Sequence, residues 1–422
     1  MRAPGLLTDF RTSDASLYPG TFVRYNRPVR ICHFTSTFFP RVGGVEIVVS
    51  NLARCQHEAG HRVTVITPKI RGIDNRVEVP YRVVHYSRPS SKRFLTRQVL
   101  LRLLWEHARA PFDVLHCHSA YPHGYVSATF SHLTGVPVIV TPHGPTDIMR
   151  EERLRRNPKI EARLAKGLRA SAGITAISRD IRDEILSVGG IPEEKVRIIP
   201  NGVTLAEYEG VAGFDLGFPY ILAMGRMVPQ KGFDHLIRAF GMVVREEPEL
   251  RLLFAGEGVY RREYEKQVAA LNLQDRIRFL GLVQGPQKIS FMKGAEFFVC
   301  PSRFEPFGIV VLEAMASGVP VVANRVGGIV DIVEDGVHGK LVDPTSTEEL
   351  AAAITALHNN PKARRCMGEA AEARSKAYDW NSINEQYLEV YRAGMNLFKG
   401  HRPTALGRVL GRRARRHGEE SG

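Results

Sequence analysis

"FFVCPSRFEPFGIVVLEAMASGVPVVAN", residues 297–324, begins and ends on a strand pattern and holds a helix pattern between them. "FFVCP" (297–301) and "PVVAN" (320–324) are short apolar runs of the kind found in strands buried on both faces. Pro306 and Gly308 break the chain after the first run, and a helix starts near Gly308–Ile309. Val310, Val311, Leu312, Ala314 and Met315 make that helix apolar almost all round, so it is buried as well. A strand, a buried helix and a second strand form the unit from which parallel sheets are wound.

The same rhythm extends in both directions. "VRICHFT" (29–35), "RVTVIT" (62–67), "DVLHCH" (113–118) and "PVIVTP" (137–142) read as buried parallel strands, mostly separated by amphipathic segments. A second series comprises "YILAMG" (220–225), "LRLLFAG" (250–256), "IRFLG" (277–281), then the two runs of the opening stretch. Two series joined around "IIPNGVTLAEYEG" (198–210) imply an α/β protein of two facing, doubly wound, Rossmann-like domains with a cleft between them. The expected organisation is a poorly ordered segment 1–27, a first domain 28–205 and a second domain 206–378. A helix 379–397 packing back toward the first domain and a basic tail 398–422 complete it, with disorder expected from residue 400.

Composition fits that plan. The chain has 422 residues, 44% hydrophobic and 24% charged, as expected of globular domains. No apolar run approaches the ~18–20 residues of a bilayer-spanning helix. "MRAPGLLTDFRTSDASLYPG" lacks the continuous apolar segment of a secretory signal. The five cysteines (Cys32, Cys55, Cys117, Cys300, Cys366) show no CxxC spacing and read as reduced thiols, which implies a cytoplasmic protein. A net charge of +14 is unevenly distributed: residues 150–169 carry eight Lys/Arg against three Glu, and 398–422 seven against two. Such an excess implies an acidic partner, or simply solvated helix faces. In 159–169, Ile160, Leu164 and Leu168 recur every four residues among Lys159, Arg163, Lys166 and Arg169. This basic amphipathic helix either adsorbs to an anionic membrane surface or turns its apolar residues into the core. The basic runs lack the interleaved aromatic residues of a nucleic-acid binder, so no nucleic-acid partner is expected.

Chemistry concentrates where strands feed helices. Glu305 lies on the loop and Glu313 one turn into the buried helix. A buried carboxylate must be paired or bound to something polar: either a core Arg or a ligand. The free N–H groups of Phe307, Gly308, Ile309 and Val310 suit phosphate oxygens. "MGRMVPQKGFDHLIRAF" places Arg226 and Lys231 on a turn before another helix, where two cations make a diphosphate clamp. In "FFPRVGGVEIVV" (38–49), Gly43 and Gly44 let a backbone approach a ligand closely, although an ordinary tight turn would look the same. No GxxxxGK[ST], GxGxxG or D-x-D occurs, so neither a P-loop, a dinucleotide fingerprint nor a metal-bridged diphosphate is supported. His116 and His118 share a face at a strand end, ~6.6 Å apart along the strand. With His143 they raise zinc as a candidate, but no cysteine pair or HExxH accompanies them, and core or cleft-lining histidines are the better reading. His143, at a strand end before Gly144, belongs in the cleft.

These residues resemble a known family. "EPFGIVVLE" is similar to the E-x7-E motif of retaining glycosyltransferases of family 4, which have the GT-B fold. The resemblance extends through "GGVE", "RMVPQKG", "PNGV", "CPSRFEPFG" and "EAMASGVPVVA", covering roughly residues 29–395. It implies that Glu313 holds the ribose of a nucleotide sugar and that Glu305 contacts the transferred sugar at the reacting face. Arg226 and Lys231 would bind the diphosphate, assisted by the amides of Phe307, Gly308, Ile309 and Gly44, with His143 against the donor sugar. Glu305 and His143 are thus the catalytic candidates. The expected activity is transfer of a hexose, with retention and without metal or other cofactor, from a UDP- or GDP-sugar to a hydroxyl of a glycolipid or cell-envelope glycan. An enzyme at the inner face of the membrane would fit this. An epimerase or phosphorylase on the same scaffold, or a transferase with a small soluble acceptor, is the alternative. Glu296 in "KGAEFFV" stands where the family commonly has Asp, outside these contacts.

Overall fold

Among the residues that the computed structural model describes, 27–41, 43–87, 92–144 and 157–399, thirteen strands form two wholly parallel sheets. The first holds β1 (Arg30–Phe34), β2 (Arg62–Pro68), β3 (Arg82–Tyr86), β4 (Val114–Cys117), β5 (Val138–Val140), β6 (Gly173–Ala176) and β7 (Val196–Ile198), ordered β3-β2-β1-β4-β5-β6-β7. The second holds β8 (Tyr220–Met224), β9 (Arg251–Ala255), β10 (Ile277–Gly281), β11 (Phe298–Cys300), β12 (Val321–Asn324) and β13 (Gly339–Val342), ordered β10-β9-β8-β11-β12-β13. Strand order reverses at β1/β4 and at β8/β11, and ligands of doubly wound sheets bind beyond the carboxyl ends of the strands at such points. The expected α/β architecture of two Rossmann-like sheets is therefore what the chain forms.

Strands with long apolar runs coincide with the expected segments. β3, β6, β7 and β13 were not expected. In β6 ("GITA"), β7 ("VRI") and β13 ("GKLV") glycine, threonine, arginine or lysine interrupts the apolar residues, so no apolar run marks them.

The helix Pro158–Ala170 settles the question of its apolar stripe. Leu164 and Leu168 are fully buried and Ile160 half-buried, while Lys159, Arg163, Lys166 and Arg169 are exposed. The stripe is a core face, and the charges meet solvent. The rest of the basic run (150–156), residues 1–26 and the tail 400–422 lie outside the described residues.

The helix Trp380–Leu397 leaves the second sheet and packs on the first. Trp380, Ile383, Tyr387 and Tyr391 share one cluster with Ile31, Leu52, Val114 and Ile139. Asp379 caps it by accepting from the backbone N–H of Asn381. Trp380 sits flat against Gly202, where an added Cβ would lie 2.6 Å from the indole. Only glycine admits the ring there. Trp380→Ala is expected to lower the stability of the whole chain by about 3–5 kcal/mol, read as a fall in the denaturation midpoint. An unchanged midpoint would show that this helix does not hold the first sheet's outer layer.

Candidate functional site

The cleft begins at the loop after β11. The turn Pro229–Lys231 after β8 leans on it: at Gly232 (φ 65°) a Cβ would come 2.0 Å from the Pro301 carbonyl oxygen. That approach brings Lys231 to Glu305, and its ammonium donates to Glu305 Oε2 at 2.5 Å. Ser302 Oγ donates weakly to the same oxygen at 3.4 Å. Burial works against the Lys231 ammonium, but the Glu305 carboxylate outweighs it and holds the lysine above its ordinary pKa despite the opposing charge of Arg226. Arg226 itself is exposed.

Glu313, 7% exposed, has a partner that the sequence did not disclose. Lys288, on the helix Gly285–Gly294, donates to Glu313 Oε1 at 2.7 Å. Both glutamates are paired, with lysines rather than with a core arginine. Glu296 lies apart from the cleft and pairs with His358 (2.6 Å) and Arg364 (3.1 Å).

Gly308 caps the helix Ile309–Ala316, so the unpaired amides of its first turn open beside Glu305. The other side of the cleft brings a second helix terminus. The helix Gly44–Glu58 starts where a Cβ on Gly44 would be 3.4 Å from Ile309 Cδ1, and a Cβ on Gly144 would be 3.4 Å from Pro306. Hence Gly44 and His143, from the first sheet, face the loop 305–309 of the second. Two polar contacts fix this closure: Ser178 Oγ donates to the Pro306 carbonyl (2.7 Å), and Arg179 binds Asp331 through its backbone N–H (2.7 Å) and Nε (2.6 Å). Glu305, Phe307, Gly308, Ile309, Gly44 and His143 thus touch or adjoin this seam, and Lys231 reaches it through Glu305.

Behind His143 lies a cluster of buried imidazoles. The ring nitrogens that could hold an ion belong to His33, His116 and His118, within 4.8 Å of one another, rather than to the expected trio with His143. All six of these nitrogens already have protein partners. His33 bonds His118 (2.8 Å) and Gln56 (2.8 Å), His116 bonds Tyr391 (2.6 Å) and Thr141 (2.6 Å), and His118 also bonds His143 (3.0 Å). Hydrogen bonding alone accounts for the cluster.

Known proteins share this fold. Residues 42–207 match Glycosyltransferase Family 4 and residues 206–374 match Glycosyl transferases group 1. An uncharacterised glycosyltransferase of Methanocaldococcus jannaschii is 30% identical over 395 residues, covering 87% of this chain and 99% of that protein. The GDP-mannose:cellobiosyl-diphosphopolyprenol alpha-mannosyltransferase of Xanthomonas oryzae pv. oryzae is 27% identical over 87% of this chain and 98% of its own length. Among solved structures, the sucrose-phosphate synthase of Thermosynechococcus elongatus superposes with a TM-score of 0.75 at 23% identity, covering 87% and 99% of the two chains. The chain belongs to the GT-B glycosyltransferases of family 4. It is a transferase whose relatives use sugar nucleotides and, in some cases, lipid acceptors.

Lys231 pairs with Glu305, and the charge of Arg226 is felt at Lys231. Replacing both by Ala is expected to lower affinity for UDP or GDP at least about tenfold, from the loss of two charge-assisted contacts at ~1.5–3 kcal/mol each. Calorimetry showing unaltered affinity would remove the diphosphate from this corner of the cleft.

Proposed function

We propose that the protein is a retaining hexosyltransferase that uses a UDP- or GDP-sugar and glycosylates a hydroxyl of a lipid-linked or cell-envelope acceptor. The carrying observation is the Lys231–Glu305 pair at 2.5 Å beside the helix terminus at Ile309, with Gly44 and His143 facing it.

On this reading the diphosphate lies against Arg226, Lys231 and the amides of Phe307, Gly308, Ile309 and Gly44. As the bond from sugar C1 to the diphosphate oxygen breaks, charge grows on the leaving group. These cations and N–H groups are already aimed at that charge and stabilise it. They stand where other enzymes use a metal ion. The acceptor oxygen forms its bond to C1 on the face just vacated, and its proton passes to the departing diphosphate oxygen. Configuration is thereby retained. Glu305, in exchange for part of its pairing with Lys231, accepts from sugar hydroxyls at the reacting face. Glu313, held by Lys288, accepts from the ribose hydroxyls. No described residue suggests the separate nucleophile of a double displacement.

A surface on the first domain supports a membrane-bound acceptor. On the helix Lys92–Arg109, Leu101 and Trp105 are 61% and 47% exposed, and Arg102 and Arg109 lie over the faces of the indole at 4.9 and 4.7 Å. The helix Tyr125–Thr134 packs against both this helix and Pro158–Ala170. One layer therefore presents an exposed indole together with Arg97, Arg109, Lys159, Arg163 and Lys166. Basic residues near an anionic cytoplasmic leaflet contribute ~1 kcal/mol each, and amphipathic rings favour the headgroup level.

Two measurements test the reading. In assays containing EDTA, which should leave the wild-type rate unchanged, Glu313→Gln is expected to raise KM for the nucleotide sugar and Glu305→Gln mainly to lower kcat. Wild-type kinetics in both variants would refute these roles, and an inverted product anomer would refute retention. In sedimentation with vesicles containing phosphatidylglycerol, the protein is expected to bind at low salt and to release as salt rises. Leu101→Ser with Trp105→Ser should weaken that binding severalfold. Failure to bind such vesicles at low salt would favour a small soluble acceptor.

A further inference from the structure

Two residues before Glu305, Arg303 reaches across to the turn that carries Lys231. Its backbone N–H donates to the Gln230 carbonyl (2.8 Å), and its Nη1 to the Pro229 carbonyl (2.5 Å). Nη1 and Nη2 also hold the two carboxylate oxygens of Asp234, at 2.8 and 2.6 Å. Arg303 thus bonds the chain on both sides of Lys231. Burial pushes the Asp234 carboxyl up, but the bonded Arg303 outweighs it and holds the group below its ordinary range, so Asp234 is ionised at neutral pH. A guanidinium can only donate, and carbonyls and carboxylates can only accept, so the direction of every bond is settled.

Two crossed ion pairs therefore join the same two segments. Lys231 and Asp234 come from the turn Pro229–Lys231 and the helix Phe233–Val243 that follows it, Arg303 and Glu305 from the loop after β11. The inner pair, Lys231 with Glu305, has side chains 19% and 10% exposed; the outer pair, Arg303 with Asp234, 43% and 28%. In the function proposed above the donor claims both members of the inner pair and loosens it. The outer pair and the two carbonyl bonds then still tie Lys231 to the loop of Glu305. In the free protein the two pairs duplicate one another, and a partly exposed ion pair adds little to the stability of the fold. The outer pair matters chiefly once ligand is bound.

We infer that Arg303, through Asp234 and the carbonyls of Pro229 and Gln230, keeps Lys231 on the diphosphate while the ligand exchanges the Lys231–Glu305 pair. The inference rests on the diphosphate site proposed above. Arg303 and Asp234 are positioning residues: they hold the group that meets the ligand and do not meet it themselves.

The test titrates UDP and GDP calorimetrically into the full-length wild type, Arg303→Gln, Asp234→Asn, Lys231→Ala and the double variant Arg303→Gln with Lys231→Ala. Arg303→Gln is expected to weaken binding about threefold to tenfold, while its denaturation midpoint without ligand stays within about 2 °C of wild type. Asp234→Asn makes the segment more positive yet releases Arg303, and should weaken binding by a similar factor. It also carries the test should Arg303→Gln not fold. In the Lys231→Ala background, Arg303→Gln should cost less than about twofold, because its effect passes through Lys231. Wild-type or tighter binding in Arg303→Gln or Asp234→Asn, whatever the midpoint, overturns the inference. An equal loss in both backgrounds also overturns it, since Arg303 would then act on the ligand without Lys231. Unaltered affinity in Lys231→Ala would instead strike the diphosphate site itself, and the inference with it.

Discussion

A carboxylate in an apolar interior must be neutralised by a partner, and the cleft of this protein is arranged around that requirement. Glu305 and Glu313 lie at and within a helix that is otherwise hydrophobic, and each is met by one lysine from a different element. Lys231 arrives on the turn after β8, and Lys288 on the helix that leads into β11. Pairing with mobile ammonium groups rather than with bidentate guanidinium forks leaves both carboxylates exchangeable. A ligand that offers hydroxyl donors and phosphate acceptors together can replace each pair without stranding either charge.

The same economy appears at the helix ends. Gly44 and Gly308 open two helices toward one another across the seam between the sheets. The amides there lack intrahelical partners by the geometry of the α-helix. They need an anion or water, and the contacts through Ser178, Pro306, Arg179 and Asp331 join the two sheets beside them.

Much of this was legible in the sequence, and the limits have physical causes. Strands buried on both faces are rich in apolar residues, so β1, β2, β8 and β12 were visible; in β6, β7 and β13 a glycine, threonine, arginine or lysine interrupts the few residues and leaves no apolar run. Glycines, prolines and charged residues at strand ends marked Gly44, Arg226, Lys231, Glu305 and His143, because chain breaks and costly burial are local facts. Lys288, Gln56 and Tyr391 were not legible. Each matters through a partner far along the chain, 335 residues away for Gln56 and Tyr391, and no local spacing records such a meeting. The basic helix 158–170 was ambiguous for a related reason: a stripe of Ile160, Leu164 and Leu168 looks the same whether a core or a membrane receives it.

The returning helix Trp380–Leu397 has a consequence for the order in which the protein is made. The first sheet emerges early from the ribosome, yet Ile31, Leu52, Val114 and Ile139 are covered only when residues 380–391 arrive. Until then the first domain exposes an apolar face, and the imidazoles beneath it lack Tyr391. The nascent chain must shield that surface through the synthesis of the entire second domain, at ~5–20 residues per second. This returning helix therefore reports that synthesis has passed the second sheet: a chain truncated before Trp380 carries that sheet with its described strands and a first domain that cannot close.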